Sequence, residues 1–397
     1  MSIERRLSRR RILCAAGVAA SGIAAPRLVF AQNRKAVQFT LPWVAEGSNL
    51  FTFVAKGMGF WEKHGLDVEI ARGSGSVAAA QAIGEARFDF GMASPSASIL
   101  QAIKGLPTVV LAACAYDATM GIGVLNDGPI KTPKDLEDRQ LASTVTSGEY
   151  PFLPAFAENA GFDLEKVTRI QVDNKVRDRL LSEGKVDAIS GYASSAMPTY
   201  IATGVKARFM LFSDYGLLNY GTALLTQPKR LAEEPELCAA FVDGAMQGLK
   251  ATMLDPAEAM KMFFKQVPEM ALATQAREQI RVGTGINIYV SARDIIKTNG
   301  LGYIETKDYE VMADSVMKYI ARDTDKRPTV ADIMTNPLCR RRETVCGRMG
   351  ADAEERAGVP HFCELTGEAA RPLAAGMSLA TPLLRSGSCR LLRQNPT

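Results

Sequence analysis

Two periods of hydrophobic and polar positions alternate along residues 35–226. Helical spacing of apolar residues occurs at 50–63, 76–86, 96–104, 150–160, 175–183 and 195–203. Between these segments lie short apolar runs rich in β-branched and aromatic residues, at 37–41, 66–71, 88–93, 109–113, 121–125, 140–144, 168–172, 186–190, 209–212 and 222–226. Such runs are typical of buried strands, and strands separated by helices predict parallel α/β sheets with helical crossovers.

The pattern changes after residue 229 to helical periods only. The predicted helices lie at 235–254, 256–266, 274–281, 292–299 and 307–322. We therefore expect an α/β core that is completed by a run of helices.

A short segment is repeated about one hundred residues apart. Gly84 to Gly91 reads GEARFDFG, and Gly184 to Gly191 reads GKVDAISG. In each copy a glycine ends a helix and a short loop with an aspartate leads into a strand. Two similar α/β units predict two lobes, and a ligand of such sheets binds beyond the carboxyl ends of the strands.

The first residues have the features of an export signal. Five arginines lie within residues 5–11, and a stretch of small and apolar residues follows at 12–25. That stretch is too short to span a bilayer, and Ala31 offers a cleavage site before Gln32. The string Ser8 to Leu13 resembles a twin-arginine signal. We expect export to the periplasm by that route, with a basic amphipathic tail as the alternative.

Composition excludes several classes of function. The 397 residues contain 47 Lys and Arg against 43 Asp and Glu, with no block of like charge in the body, which argues against nucleic acid as a partner. Only two histidines are present, which argues against a His-built metal site and a Ser-His-Asp hydrolase. The seven cysteines are not spread as a disulfide framework would be.

Several motifs, in this order, resemble one family. They are Trp43 after the first strand, GMGFWEKHGLDVEI at 57–70, FDFG at 88–91, IKTPKDL at 130–136, GKVDAI at 184–189 and FSDYGLLNYG at 212–221. Together they resemble the substrate-binding proteins of ABC transporters, in the NMT1/THI5-like branch that binds nitrate, sulfonates, taurine or thiamine pyrimidine precursors. The resemblance implies a type II periplasmic-binding-protein fold, with two α/β lobes, two crossover segments and a ligand cleft between the lobes.

The resemblance also implies a division of the chain. Residues 1–31 form the signal peptide, 32–117 the first part of lobe 1, 118–226 lobe 2, and 227–336 the second, mainly helical part of lobe 1. Residues 337–397 have nine Arg but no Lys, Ile or Tyr, and they hold Cys339, Cys346, Cys363 and Cys389. We expect this tail to be disordered, because it has no helical or strand period. A Cys/His metal knuckle is the alternative, although the spacing does not fit.

Four loops should face the cleft, at residues 43–49, 94–96, 146–150 and 191–195. The polar candidates in them are Glu46, Asn49, Ser94, Ser96, Ser147, Gly148, Glu149 and Ser194. Each serine alone is explained as a helix cap, but several such loops at matching positions in two lobes favour a binding site. The aromatic and crossover candidates are Trp43, Tyr116, Tyr150, Tyr192, Asp214 and Tyr215. Aromatic faces with polar rims suit a planar ligand, although Tyr215 could instead brace the hinge.

The charges in these loops indicate the ligand. No arginine occurs in them, whereas carboxylate recognition usually uses one. Glu46 and Glu149 would accept hydrogen bonds from amino groups. We therefore expect a small amine-bearing or neutral heteroaromatic ligand such as a pyrimidine precursor, with a sulfonate, taurine or nitrate as the alternative.

Partners follow from the resemblance. It implies a small-molecule ligand, an ABC permease in the inner membrane, and a monomer without cofactor, metal or catalytic residues. A sensory receptor domain would share these features. The family also contains a pyrimidine-synthesising enzyme with a His and a Cys-rich motif. The body has no such Cys-rich segment, and His64 lies at a helix end where a cation complements the helix dipole.

Overall fold

The computed structural model describes residues 34–174, 176–272 and 274–336. Within them, ten strands form two five-stranded sheets. The strands are β1 (Lys35–Thr40), β2 (Leu66–Ala71), β3 (Phe90–Ala93), β4 (Val109–Ala115), β5 (Met120–Leu125), β6 (Gln140–Ser143), β7 (Thr168–Gln171), β8 (Ala188–Tyr192), β9 (Ala207–Leu211) and β10 (Thr222–Thr226). The predicted signal peptide and the predicted tail lie outside the described residues.

The helices between residues 34 and 226 lie between the strands. They are α1 (Leu50–Gly57), α2 (Phe60–Lys63), α3 (Ser76–Gly84), α4 (Pro95–Ile103), α5 (Leu153–Ala160), α6 (Arg177–Ser182) and α7 (Ala193–Thr203). Single turns of 3-10 helix occur at Pro133–Leu136, Tyr150–Phe152, Leu164–Lys166 and Phe212–Tyr215. The helix predicted at 50–63 is divided in two, because Gly59 adopts the left-handed conformation (φ 68°) between α1 and α2.

The described chain between residues 228 and 336 is mainly helical, as the pattern predicts. These helices are α8 (Pro228–Glu233), α9 (Pro235–Leu254), α10 (Pro256–Gln266), α11 (Thr274–Ser291), α12 (Ile295–Asn299), α13 (Thr306–Tyr319) and α14 (Val330–Ile333), with a 3-10 turn at Pro268–Ala271. Below, lobe 1 means the sheet that contains β1 with α1–α4 and α8–α14, and lobe 2 means the other sheet with α5–α7.

The two sheets share one topology. The order is β2-β1-β3-β10-β4 in lobe 1 and β7-β6-β8-β5-β9 in lobe 2. β10 is antiparallel to β3 and β4, and β5 is antiparallel to β8 and β9. The sheets are therefore mixed and not purely parallel as predicted, because β5 and β10 enter from the other lobe and not through a helical crossover of their own sheet.

Aromatic stacking holds the core of lobe 1. Phe241 of α9 stacks on Phe90 at a centroid distance of 4.0 Å and on Trp61 at 5.3 Å. The buried Trp61 indole N–H donates to the Phe241 carbonyl at 2.8 Å, so its polar atom is satisfied. This packing fixes the helical second part of the lobe against the sheet.

The two lobes meet at the loops that follow the strands. Val77 N–H donates to the Thr146 carbonyl at 3.1 Å, and the Thr146 hydroxyl donates to the Ser74 carbonyl at 2.5 Å. α11 of lobe 1 also packs against α7 of lobe 2, where Gln279 Nε2 donates to Thr199 Oγ1 at 2.9 Å. The structure therefore shows the lobes in contact around a closed cleft.

Candidate functional site

A cavity lies between the lobes, and residues from both of them line it. The empty space in it, including the part open to solvent, is about 590 Å³. The lining residues are Pro42, Trp43, Glu46, Ser48, Ser76, Ala115, Asp117, Thr119, Ser147, Arg177, Tyr192, Ser194, Ser195, Gly221, Thr222, Asn287 and Val290.

Glu46 is the acidic group at the lobe 1 side of the cavity. Its backbone N–H donates to Asn49 Oδ1 at 3.0 Å, which fixes the loop after β1. The hydroxyls of Ser48 and Ser195 donate to Glu46 Oε1 at 2.6 and 2.5 Å. Ser195 belongs to α7, so the second of these bonds connects the lobes. Burial raises the pKa of Glu46 to about 7, although both serine hydroxyls and Arg177 oppose the shift.

Glu149 is buried behind the cavity on the lobe 2 side. Ser147 donates a short hydrogen bond to Oε2, and Ser190 donates to Oε1 at 3.1 Å. Burial raises the pKa of this carboxyl, and the charge of Arg177 partly opposes that shift. Glu149 does not line the cavity; its serine partner Ser147 does. Ser147 and Ser190 both belong to lobe 2.

Arg177 brings a positive charge to the cavity wall from the first residue of α6. Its side chain is only 1% exposed. Nε donates to Asp178 Oδ1 at 2.8 Å, and the guanidinium lies 5.2 Å from the centre of the Trp43 ring. A Cβ at Gly191 would come within 2.8 Å of the guanidinium carbon, so a glycine at the end of β8 leaves the space that Arg177 fills.

Tyr192 ends β8 and turns its hydroxyl toward the loop at 146–149. A Cβ at Gly148 would lie 2.3 Å from Tyr192 Oη and 3.0 Å from Ser94 Oγ, so only glycine fits there. Burial raises the pKa of the Tyr192 hydroxyl, and the charge of Glu149 adds to the shift. The phenol is therefore a neutral hydrogen-bonding group at physiological pH.

Ser194 is bound to the first crossover between the lobes. Thr119 Oγ1 donates to Ser194 Oγ at 2.9 Å and accepts the Ser194 backbone N–H at 3.1 Å. Both side chains line the cavity. The start of α7 is therefore attached to the first segment that connects the lobes.

The structure brings five of the fourteen predicted site residues to the cavity wall. These are Trp43, Glu46, Ser147, Tyr192 and Ser194. Five others lie directly behind the wall, buried in the loops that form it: Asn49, Ser94, Ser96, Gly148 and Glu149. Asn49 holds its loop, since Nδ2 donates to the Val44 carbonyl at 2.8 Å. Ser96 donates to Ser94 Oγ at 3.3 Å.

The other four predicted residues lie away from this cavity. Tyr116 lines a second cavity beside the crossovers and packs on Tyr220 at a centroid distance of 5.6 Å. Tyr150 packs against the large core cluster, and Tyr215 makes an edge contact with Phe156 at 5.2 Å. Asp214 is exposed in the same 3-10 turn as Tyr215.

Two lining residues carry chemistry that the sequence argument did not find. The premise that the four loops contain no arginine is correct, but α6 supplies Arg177 from outside them. Asn287, on α11, is 2% exposed and lines the same cavity. Both residues lie on helices, where a polar residue usually faces solvent. The signal for Arg177 is the glycine at 191, which leaves space for its side chain. That signal can be recognised only once the structure shows that the two residues are in contact.

Two features are absent from residues 34–174, 176–272 and 274–336. No group of three or more His, Cys, Asp or Glu side chains is gathered there in a way that could hold a metal ion. No helix in that part of the chain combines the length and apolar character needed to cross a membrane.

The chain has relatives among characterised proteins. It is 25% identical to the formylaminopyrimidine-binding protein of Halalkalibacterium halodurans over 235 residues, which is 59% of this chain and 71% of that protein. It is 22% identical to a putative thiamine biosynthesis protein of Haemophilus influenzae over 236 residues, which is 59% of this chain and 74% of the other.

Solved structures establish the fold. The periplasmic nitrate-binding protein NrtA of Synechocystis superposes with a TM-score of 0.59 at 13% identity, over 83% of this chain and 92% of that one. The periplasmic aliphatic sulphonate-binding protein SsuA of Escherichia coli gives 0.58 at 13% identity, over 77% and 99%. The predicted periplasmic-binding-protein fold is thus confirmed. A family model described as NMT1/THI5 like matches residues 48–259. The chain belongs to the NMT1/THI5-like family.

Proposed function

We propose that this protein is a periplasmic solute receptor that closes over a small molecule and delivers it to an ABC permease. The observation that carries the proposal is the cavity between the lobes. Both lobes line it, and Ser195 of lobe 2 bonds to Glu46 of lobe 1 at 2.5 Å. A ligand in that position contacts both lobes and therefore stabilises the closed form relative to the open one.

The ligand that best fits the wall is a planar heterocycle with an amino group. The half-buried Trp43 ring supplies an aromatic face at the wall. Glu46 supplies an acceptor for an amino group, with its carboxyl already held by Ser48 and Ser195. The relative named for formylaminopyrimidine binding supports the same class of ligand.

An anion such as a sulfonate or nitrate is the second candidate. Arg177 favours it, because a buried guanidinium is the usual partner of an oxyanion. The solved proteins named for sulphonate and nitrate share only the fold at 13% identity, so they add no chemical argument. An enzymatic function has less support, because the relative in the pyrimidine class is named as a binding protein.

The ligand class is tested by thermal shift and calorimetry on the full chain. The panel contains formylaminopyrimidine, 4-aminopyrimidine, taurine, an alkanesulfonate and nitrate. A ligand at a hundred times its dissociation constant should stabilise the protein by about 2.7 kcal/mol. A shift with a pyrimidine is the expected result, and a shift with anions alone would replace the first candidate by the second.

The position of the ligand is tested with Trp43→Ala, which should weaken pyrimidine binding about tenfold because the aromatic face is lost. Tyr215→Ala is the matched control, since this predicted aromatic residue packs on Phe156 away from the cavity. Equal affinity in the two variants would place the ligand elsewhere. Melting curves of both variants check that each is folded.

Export is proposed on the sequence of the first 31 residues alone. In a double Arg9→Lys, Arg10→Lys variant, the precursor should accumulate in the cytoplasm instead of reaching the periplasmic fraction. Unchanged periplasmic recovery would argue for a different route.

A further inference from the structure

Two buried hydrogen-bond donors at the cleft cavity have no partner among the described residues. They are Arg177 Nη2 and Asn287 Nδ2. Both side chains line the same cavity, Arg177 from lobe 2 and Asn287 from lobe 1. Native proteins satisfy nearly all buried polar groups, so unpaired donors that converge on one cavity indicate where a ligand supplies the acceptor.

We propose, on the basis of the proposed function, that Arg177 and Asn287 determine specificity by donating to a carbonyl oxygen of the ligand. The ligand is then an uncharged heterocycle that carries both a carbonyl group and an amino group. The carbonyl is bound by the donors of Arg177 and Asn287, and the amino group is bound by Glu46.

The charges around Arg177 argue that the acceptor is neutral. Asp178 already contacts the guanidinium at 2.8 Å, and the buried Glu149 and Glu46 carboxyls both interact with its charge. Asp117, also at the wall, is paired with Arg293. The charge of Arg177 is therefore already balanced by the carboxyl groups around it. A sulfonate or nitrate would add a negative charge, which these carboxyl groups would repel in a site of low dielectric.

The position of Arg177 is fixed before any ligand arrives. Gly191 and the Trp43 ring both lie against the guanidinium, and Asp178 holds its Nε atom. A donor held in this way binds without losing side-chain freedom, which favours a directional hydrogen bond. Because Nε of the guanidinium already donates to Asp178, the arrangement suits one ligand acceptor at Nη2.

The test compares two ligands that differ by one carbonyl oxygen. Cytosine has the amino group and the carbonyl, whereas 4-aminopyrimidine has only the amino group. Calorimetry is performed on the full chain as wild type, Arg177→Lys and Asn287→Ala. Arg177→Lys keeps the charge beside Asp178 and Glu149, and Asn287→Ala lies in the other lobe and removes no ion pair.

We expect wild type to bind cytosine at least tenfold more tightly than 4-aminopyrimidine, and each substitution to weaken cytosine about 10-fold or more. The affinity for 4-aminopyrimidine should change less than about threefold, because it never used these donors. A merely structural role would weaken both ligands equally and leave their ratio unchanged, which would overturn the inference.

Three outcomes separate this inference from the proposed function. If both pyrimidines bind and neither variant alters their ratio, the receptor stands and the role of Arg177 and Asn287 is wrong. If nitrate or taurine binds in an Arg177-dependent manner and the pyrimidines do not, the solute receptor stands and the neutral acceptor is wrong. If no pyrimidine and no anion binds wild type, the proposed ligand class fails and this inference fails with it.

Discussion

The two buried glutamates of the cleft loops, Glu46 in lobe 1 and Glu149 in lobe 2, look alike in sequence but have different surroundings. Burial raises the pKa of both. Glu46 lines the cavity and accepts a hydrogen bond from Ser195 across the cleft. Glu149 is bonded to Ser147 and Ser190 of its own lobe and interacts with the charge of Arg177.

The two glutamates therefore have different roles: Glu46 can contact a ligand, whereas Glu149 supports the loop behind the cavity wall. A carboxyl at the wall can exchange a serine partner for a ligand, and its bond across the cleft exists only when the lobes are closed. A carboxyl behind the wall holds the loop at 146–149 and balances Arg177, so its role persists whether or not a ligand is present.

The largest effect on folding is expected for Glu149→Ala. Removing this carboxyl leaves the Ser147 hydroxyl and part of the Arg177 charge without compensation in a buried place. The free energy of unfolding should fall by about 3 kcal/mol, measured by urea denaturation. Glu46→Ala is the matched comparison and should cost less, since solvent can enter its cavity. Equal losses would remove the distinction between the two carboxyls.

The next effect concerns pH and Glu46. A carboxyl with a folded pKa of about 7 and an ordinary unfolded pKa binds more protons when folded. Stability from this group is therefore complete below pH 4.5 and is lost as the pH rises through 7. The free energy of unfolding of wild type relative to Glu46→Gln should fall by about 2–3 kcal/mol between pH 5 and pH 8.

Comparison with Glu46→Gln cancels the contributions of other groups, including Glu149. The groups that act on Glu46 are Asp178, which raises its pKa further, and Arg177, Ser48 and Ser195, which lower it. A difference between wild type and Glu46→Gln that does not change with pH would show that Glu46 titrates normally in the folded protein.

Substitution of the two glutamates should also have different effects on the affinity for a ligand. Glu46→Gln should weaken 4-aminopyrimidine about tenfold, because an amide is a poorer acceptor than a carboxylate and presents N–H groups to the ligand's amino group. Glu149→Gln should change the affinity less than about threefold, since Glu149 does not reach the wall. Calorimetry at pH 8 provides the measurement, and a larger loss in Glu149→Gln would reverse the assignment.

The sequence predicts the fold well because the signals for strands are local. Each of the ten predicted strands overlaps an observed strand, and the repeated Gly-Asp segments at 84–91 and 184–191 precede β3 and β8 as expected. The loops after strand ends also follow from topology, so Trp43, Glu46, Ser147, Tyr192 and Ser194 could be found. The direction of each strand within the mixed sheets could not be predicted, because it depends on how the chain passes between the lobes.

The rest of the site depends on packing between elements that are distant in sequence. Arg177 reaches the wall because Gly191 leaves space for it, and no pattern within α6 shows that. Tyr150 and Tyr215 occur in loops but pack on the core, because an aromatic ring in a loop can bury its face in either direction. Loop position alone therefore could not distinguish a ligand contact from a core contact.

The smallest effect concerns the serine partners of the two glutamates. Ser195→Ala removes the bond to Glu46 that connects the lobes, whereas Ser147→Ala removes a bond to Glu149 within lobe 2. Loss of one hydrogen bond of about 1 kcal/mol should lower the ratio of closed to open protein about fivefold without ligand. Gln279 and Thr199 still join α11 to α7, so closure is weakened and not abolished. Small-angle scattering should show a larger radius of gyration for ligand-free Ser195→Ala than for Ser147→Ala, and equal radii would mean that Glu46, like Glu149, acts within its own lobe.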